Sequence, residues 1–155
     1  MFPSALHVSK TPCIVNTVLG SCVSICLWDH VLKIGGINHY MLPIWKGNGE
    51  ASEKYGDIAF EKLLKKMLET GSKKNNLVAK VFGGSEVIDT TSNHFNVGEQ
   101  NIKIALETLR NENIKIISKN VGGKLGRKIQ FNTSTGEVLH KFIEKFNYSV
   151  ILDKN

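Results

Sequence analysis

Residues 13–41 read CIVNTVLGSCVSICLWDHVLKIGGINHYM, and how this run is divided decides the fold. Residues 13–19 are rich in β-branched side chains and read as a strand. Residues 22–28, CVSICLW, are short and mostly apolar; periodicity alone leaves them either a fully buried strand or one turn of a buried helix. Asp29 and His30 supply a turn, and residues 32–41 read as the next strand, closed by Pro43. Gly35-Gly36 inside it marks a bulge or a close backbone approach. If the segments on either side of Asp29-His30 pair antiparallel, their far ends are neighbours, and those ends carry Cys22 and His39.

Working outward, residues 45–53, WKGNGEASE, are polar and glycine-bearing and form a loop. Tyr55, Ala59, Leu63 and Met67 then recur every fourth residue, with Ile58, Phe60, Leu64 and Leu68 widening the stripe of an amphipathic helix. Ser52 is the expected cap at its start and Gly71 at its end. LVAKVFGG (77–84) is a strand ending in glycines, residues 99–112 a second helix, and 114–118 another strand. Residues 132–136, NTSTG, join two strand-like halves as a hairpin. About six strands and two helices give an α/β layered domain with a mixed sheet.

The chain has 155 residues, which suits one domain spanning 1–155. Its hydrophobic content of 41% and charged content of 22% are globular. The net charge of +6 favours an acidic partner. The basic residues are scattered, however, and only Lys65-Lys66, Lys73-Lys74 and Arg127-Lys128 are adjacent, so no nucleic-acid partner is expected. Three cysteines, with no CxxC pair, argue against a disulfide framework and leave no metal motif. The first ten residues lack the layout of a signal peptide, and nowhere do about 18 apolar residues run together. A cytoplasmic protein without membrane insertion and without a cofactor is expected.

A cysteine attacks as the thiolate, and a histidine or nearby backbone N–H groups lower its pKa. Gly20 and Ser21 have almost no bulk, so a substrate carbonyl can approach the backbone beside Cys22, where N–H groups serve as an oxyanion hole. Against this, free cysteine is among the most buried residue types. Cys13 and Cys26 are assigned to the core on that ground, and the residue pattern leaves Cys22 equally readable as packing or as nucleophile. His7, His30, His94 and His140 are placed in loops or at element ends, facing solvent. GGSE (83–86) and VGGKLG (121–126) match neither phosphate-binding glycine pattern and read as plain turns.

Five blocks, LGSCVSICLWD, KIGGINHYMLP, VFGGSEVID, NVGEQNI and GGKLGRKIQFNTSTGEV, resemble in sequence and order the chemoreceptor glutamine deamidase family CheD of bacterial chemotaxis. The resemblance implies a three-layer α-β-β sandwich with mixed sheets, shared with toxin deamidases. It implies hydrolysis of glutamine side-chain amides on methyl-accepting chemotaxis receptors to glutamate and ammonia. Carried over, Cys22 is the nucleophile and His39 the general base. Thr17, five positions before Cys22 and beside Asn16, completes the triad by orienting the histidine, with Gly20 and Ser21 at the oxyanion. The block around Asn120 departs from the family, where an aspartate is expected. The resemblance also implies a CheC-type phosphatase as partner. A monomeric protein is expected. A non-catalytic receptor- and CheC-binding adaptor with the same fold is the rival reading.

Overall fold

The computed structural model describes residues 1–86 and 96–143. The described chain runs β1 (Leu6–Ser9), β2 (Ile14–Leu19), β3 (Val23–Asp29), β4 (Ile34–Asn38), α1 (Gly56–Glu69), β5 (Leu77–Gly83), α2 (Val97–Asn111), β6 (Lys115–Val121), β7 (Gly126–Asn132) and β8 (Val138–Ile143). These strands form two sheets. One has five strands in the order β1-β4-β3-β5-β6, antiparallel except for the parallel β5–β6 pair; the other is β2-β7-β8, antiparallel throughout.

The ambiguous run 22–28 is a strand. It occupies the centre of the five-stranded sheet and is covered on both faces, which is why it reads as continuous apolar sequence rather than alternation. Val23, Ile25 and Leu27 face the helices and pack with Leu63 and Met67 of α1 and Leu109 of α2. Cys26 faces the other way, with Ile37 and Phe82, onto Val15 and Leu19 of β2 and Ile129 and Phe131 of β7. The layers are therefore helices, five-stranded sheet and three-stranded sheet, the expected α-β-β sandwich. Among the described residues no helix is long and apolar enough to cross a membrane.

The turn after β3 is built by Asp29, whose Oδ1 accepts from the N–H groups of Val31 (2.8 Å) and Leu32 (2.9 Å). Gly35-Gly36 is a close approach and not a bulge, since the β3–β4 register runs unbroken from Asp29↔Ile34 to Cys26↔Ile37. A Cβ on Gly35 meets the Thr133 carbonyl oxygen at 2.7 Å, and one on Gly36 meets Leu63 of α1 at 2.9 Å. Each glycine thus lets a neighbouring layer settle onto β4.

Several expectations are corrected. Leu6–Ser9 was not anticipated as a strand, yet it pairs with β4 along the sheet edge. Ser52 does not cap α1: the cap position is Tyr55, and the Ser52 hydroxyl accepts from Lys54 N–H instead. Gly71 does end that helix, at φ 102°. Cys13 is half-buried rather than a core residue, whereas Cys26 is 1% exposed. His7 and His140 are solvent-facing as expected, but both lie within strands, β1 and β8. His94 and the end of the VFGGSEVID block fall outside the described residues.

Candidate active site

Residues 20–22 are the corner where the chain leaves one sheet for the other. β2 ends at Leu19, paired to Arg127 of β7, and β3 begins at Val23, paired to Gly83 of β5. Small residues suit such a corner, and they put Cys22 at the rim of the space between the sheets, half-buried.

The β3–β4 register continues to a bridge between Val23 and Tyr40, which sets Cys22 across from Met41 and Ser24 across from His39. Side chains alternate along a strand, so Cys22, Ser24 and Cys26 share the face that looks onto the three-stranded sheet, and Ile37 and His39 share it from β4. Cys22 and His39 are therefore diagonal neighbours on one face, a register spacing of roughly 7 Å between Cβ atoms, and among the described residues no hydrogen bond joins the thiol to the imidazole. The Asn38 carboxamide inserts between the strands here, its Oδ1 accepting from Ile25 N–H at 2.8 Å. The His39 backbone is held from the other side, donating to the Ala5 carbonyl (3.1 Å) and accepting from Ser4 N–H (2.7 Å).

Thr17 reaches the same place from the opposite sheet. β2 alternates, with Ile14, Asn16 and Val18 outward and Val15, Thr17 and Leu19 inward. The Thr17 Oγ1 lies 2.8 Å from His39 Nδ1, whereas Asn16 points outward and bonds Gln130. The Thr17 hydroxyl donates its only proton to the Met1 carbonyl at 2.9 Å, so toward His39 it accepts. Nδ1 then carries the ring proton, and Nε2 holds the lone pair. That Nε2 is buried without a partner among the described residues.

Burial controls both protonation states. It pushes the Cys22 thiol up to about 11, partly offset by the Cys22 N–H against its own sulfur, and draws His39 down to about 4. The expectation of a lowered thiol pKa is not met. At neutral pH the free protein holds a neutral thiol beside a neutral imidazole, and the proton must move as the sulfur attacks.

The corner itself is tied back by its carbonyls. Those of Gly20 and Cys22 accept from Ser85 N–H (3.0 Å) and Gly84 N–H (2.9 Å), and that of Ser21 from Asn101 Nδ2 (2.9 Å). Among the described residues the N–H of Ser21 finds no partner and that of Cys22 faces only its own sulfur. The GGSE segment, read from sequence as a plain turn, is thus the clamp on the cysteine loop, with Gly83 and Gly84 both at positive φ where it passes the Cys22 carbonyl. Behind it lies Arg127, 3% exposed, whose guanidinium donates to Asn120 Oδ1 (2.7 Å), Ser85 Oγ (2.6 Å) and the Gly122 carbonyl (2.8 Å). Asn120, where an aspartate was expected, therefore gives this cation a neutral acceptor. Sequence reasoning also passed over Ser24, fully buried opposite His39 with a hydroxyl that has no partner among the described residues, and Asn101. The signal for Asn101 was present: it lies three residues after Gly98 and four before Ala105 on the buried stripe of α2. Among the described residues no cluster of His, Cys, Asp or Glu is arranged to hold a metal.

Comparison with known proteins places this geometry in context. The model of the family described as CheD chemotactic sensory transduction matches residues 41–142. A probable chemoreceptor glutamine deamidase CheD from Trichlorobacter lovleyi is 49% identical over 139 residues, covering 90% of this chain and 86% of the relative. The chain belongs to the CheD family. CheD proteins named in the same words from Sulfurimonas denitrificans (42% identical, 94% of each chain) and Rhodospirillum rubrum (40% identical, 92% of this chain and 80% of the relative) match it as well. All three CheD alignments are long, whereas the family model begins at Met41, after Thr17, Cys22 and His39.

Proposed function

We propose that this protein is a chemoreceptor glutamine deamidase that hydrolyses glutamine side-chain amides through a thioester on Cys22. The observation that carries the reading is the inter-sheet cluster: Thr17 fixes the tautomer of His39, Nε2 is left free, and Cys22 stands on the same face at the solvent edge. The names borne by the relatives supply the substrate class.

Attack of Cys22 Sγ on the carboxamide carbon transfers the thiol proton to His39 Nε2, so no free thiolate accumulates. The carbonyl oxygen becomes an oxyanion held by the N–H groups of Ser21 and Cys22, with Gly20 leaving room for the approach. Collapse breaks the C–N bond, the nitrogen takes the proton from Nε2, and ammonia leaves behind a thioester. Water then attacks the thioester carbon and gives a proton to Nε2. The second tetrahedral intermediate expels the sulfur, which recovers that proton, and the product is glutamate. Thr17 keeps the ring proton on Nδ1 throughout.

The substrate is the cytoplasmic part of a methyl-accepting chemotaxis receptor, which places the protein in the cytoplasm. The net charge of +6 complements acidic receptor helices. A single domain acting as a monomer suffices for this chemistry, and a CheC-type phosphatase is the expected partner. The test is incubation with receptor cytoplasmic fragments, followed by peptide mass spectrometry. Conversion of glutamine to glutamate by wild type and none by Cys22→Ala is expected. Identical peptides from both proteins, with binding retained, sink the enzyme reading and leave the adaptor.

A further inference from the structure

Asn101 is wholly buried, yet its carboxamide nitrogen donates to two backbone carbonyls, Ser21 at 2.9 Å and Met41 at 3.0 Å. The Asn101 backbone carbonyl accepts from the Tyr40 hydroxyl at 2.6 Å, and its side-chain oxygen has no partner among the described residues. Ser21 precedes Cys22, and Met41 is the residue opposite Cys22 in the β3–β4 register. One side chain of α2 therefore grips both strands at the level of the cysteine. The orientation of this amide is fixed, because a flip sets its oxygen against two carbonyl oxygens.

A trans peptide is planar, with C=O and N–H pointing in opposite directions. The carbonyl of the Ser21–Cys22 peptide is held toward α2, so the N–H of that unit, which belongs to Cys22, points away from the helices. That direction is the face carrying His39 and the Cys22 sulfur, in agreement with this N–H lying against its own thiol. Ser85 orients the preceding plane in the same way through the Gly20 carbonyl. We propose that Asn101 is a positioning residue for the deamidation, which aims the Cys22 N–H at the oxyanion by anchoring the Ser21 carbonyl. The inference rests on the deamidase reading above.

The two steps of Cys22 chemistry separate this role from a structural one. Alkylation by iodoacetamide is displacement at a saturated carbon and forms no oxyanion, whereas amide hydrolysis does. In Asn101→Leu, kcat for deamidation of a receptor cytoplasmic fragment is expected to fall roughly tenfold to hundredfold with KM nearly unchanged. The alkylation rate of Cys22 should stay within about twofold, on the same scale of argument. Cys26, 1% exposed, reports unfolding in the same experiment by remaining unlabelled. Asn101→Asp keeps the shape but loses both donors when ionised, so its kcat should recover in part as the pH falls and the carboxyl regains a proton to donate. If Asn101→Leu does not fold, that pH profile alone decides. Equal activity in folded variants, deamidation and alkylation falling by the same factor, or no acid recovery in Asn101→Asp overturns the proposal. An active wild type with active Asn101 variants removes this inference only. A wild type that converts no glutamine removes the deamidase reading and this inference together.

Discussion

Replacing Thr17 with valine removes one oxygen at nearly constant volume, and the structure says what that oxygen does. It accepts from His39 Nδ1 at 2.8 Å while donating to the Met1 carbonyl at 2.9 Å, at a position 4% exposed. The valine leaves a buried N–H without an acceptor, a loss of about 1–3 kcal/mol. For a chain of this size that lowers the melting temperature by about 2–4 °C per kcal/mol. The second effect is catalytic. Without the acceptor the ring no longer prefers the Nδ1–H tautomer, and molecules with the proton on Nε2 have no base facing Cys22. A tautomer preference and ring orientation together worth about 1.4–2.7 kcal/mol correspond to a kcat roughly tenfold to hundredfold lower. Ammonia release from a receptor fragment at saturating concentration measures this directly. Thr17→Ser keeps the hydroxyl and is expected within about threefold of wild type, because only a methyl group's packing is lost. A Thr17→Val protein with wild-type kcat, or serine and valine variants impaired alike, refutes the assignment of Thr17 to the imidazole.

The depressed His39 pKa gives a pH profile. His39 binds its proton in the unfolded chain near its ordinary 6.5 but in the folded protein only near 4. Between those values the unfolded state binds more protons, so stability is full above 6.5 and falls as the pH drops toward 4, by roughly 3 kcal/mol in all. For the same reason kcat/KM should keep its plateau below pH 6.5 and show its acid limb near 4; a limb near 6.5 means a solvent-exposed base. Gly35→Ala drives a Cβ to 2.7 Å from the Thr133 carbonyl and 2.9 Å from the Phe131 ring. Neither can retreat, so about 2 kcal/mol of stability should be lost, and an unchanged urea midpoint contradicts that packing. Asn120→Asp should raise stability by about 1 kcal/mol, because a carboxylate is the stronger acceptor for the Arg127 guanidinium. An unchanged or lower melting temperature means the cation is already satisfied.

Much of this was readable because it is local. β3, its Asp29 turn and β4 are consecutive, so Cys22 and His39 could be brought together on paper; Thr17 came from the family resemblance alone, because apolar Ile14 and Val18 share the outward face of β2 with Asn16 and blur its alternation. The separation of β2 from β3 into different sheets was not readable. β2 pairs with β7, more than a hundred residues away, and no local pattern records that partner. Distance also hides the clamps on the cysteine loop, since Gly84, Ser85 and Asn101 meet residues 20–22 from 62 to 80 positions further along the chain. β1 carries few apolar residues because it lies at a sheet edge, half exposed. The protonation of Cys22 was misjudged for a related reason. Gly20 and Ser21 suggest openness, but the sheet that supplies Thr17 also covers the sulfur enough to raise its pKa.

The claim most worth testing is that the amide is cleaved through a thioester on Cys22. Hydroxylamine intercepts thioesters, so its presence during turnover should divert part of the modified glutamine to the hydroxamate in a Cys22-dependent manner, read by mass spectrometry of the receptor peptides. The account predicts glutamate plus hydroxamate from wild type and neither from Cys22→Ala. Glutamate alone at high hydroxylamine, or conversion that persists in Cys22→Ala, contradicts it.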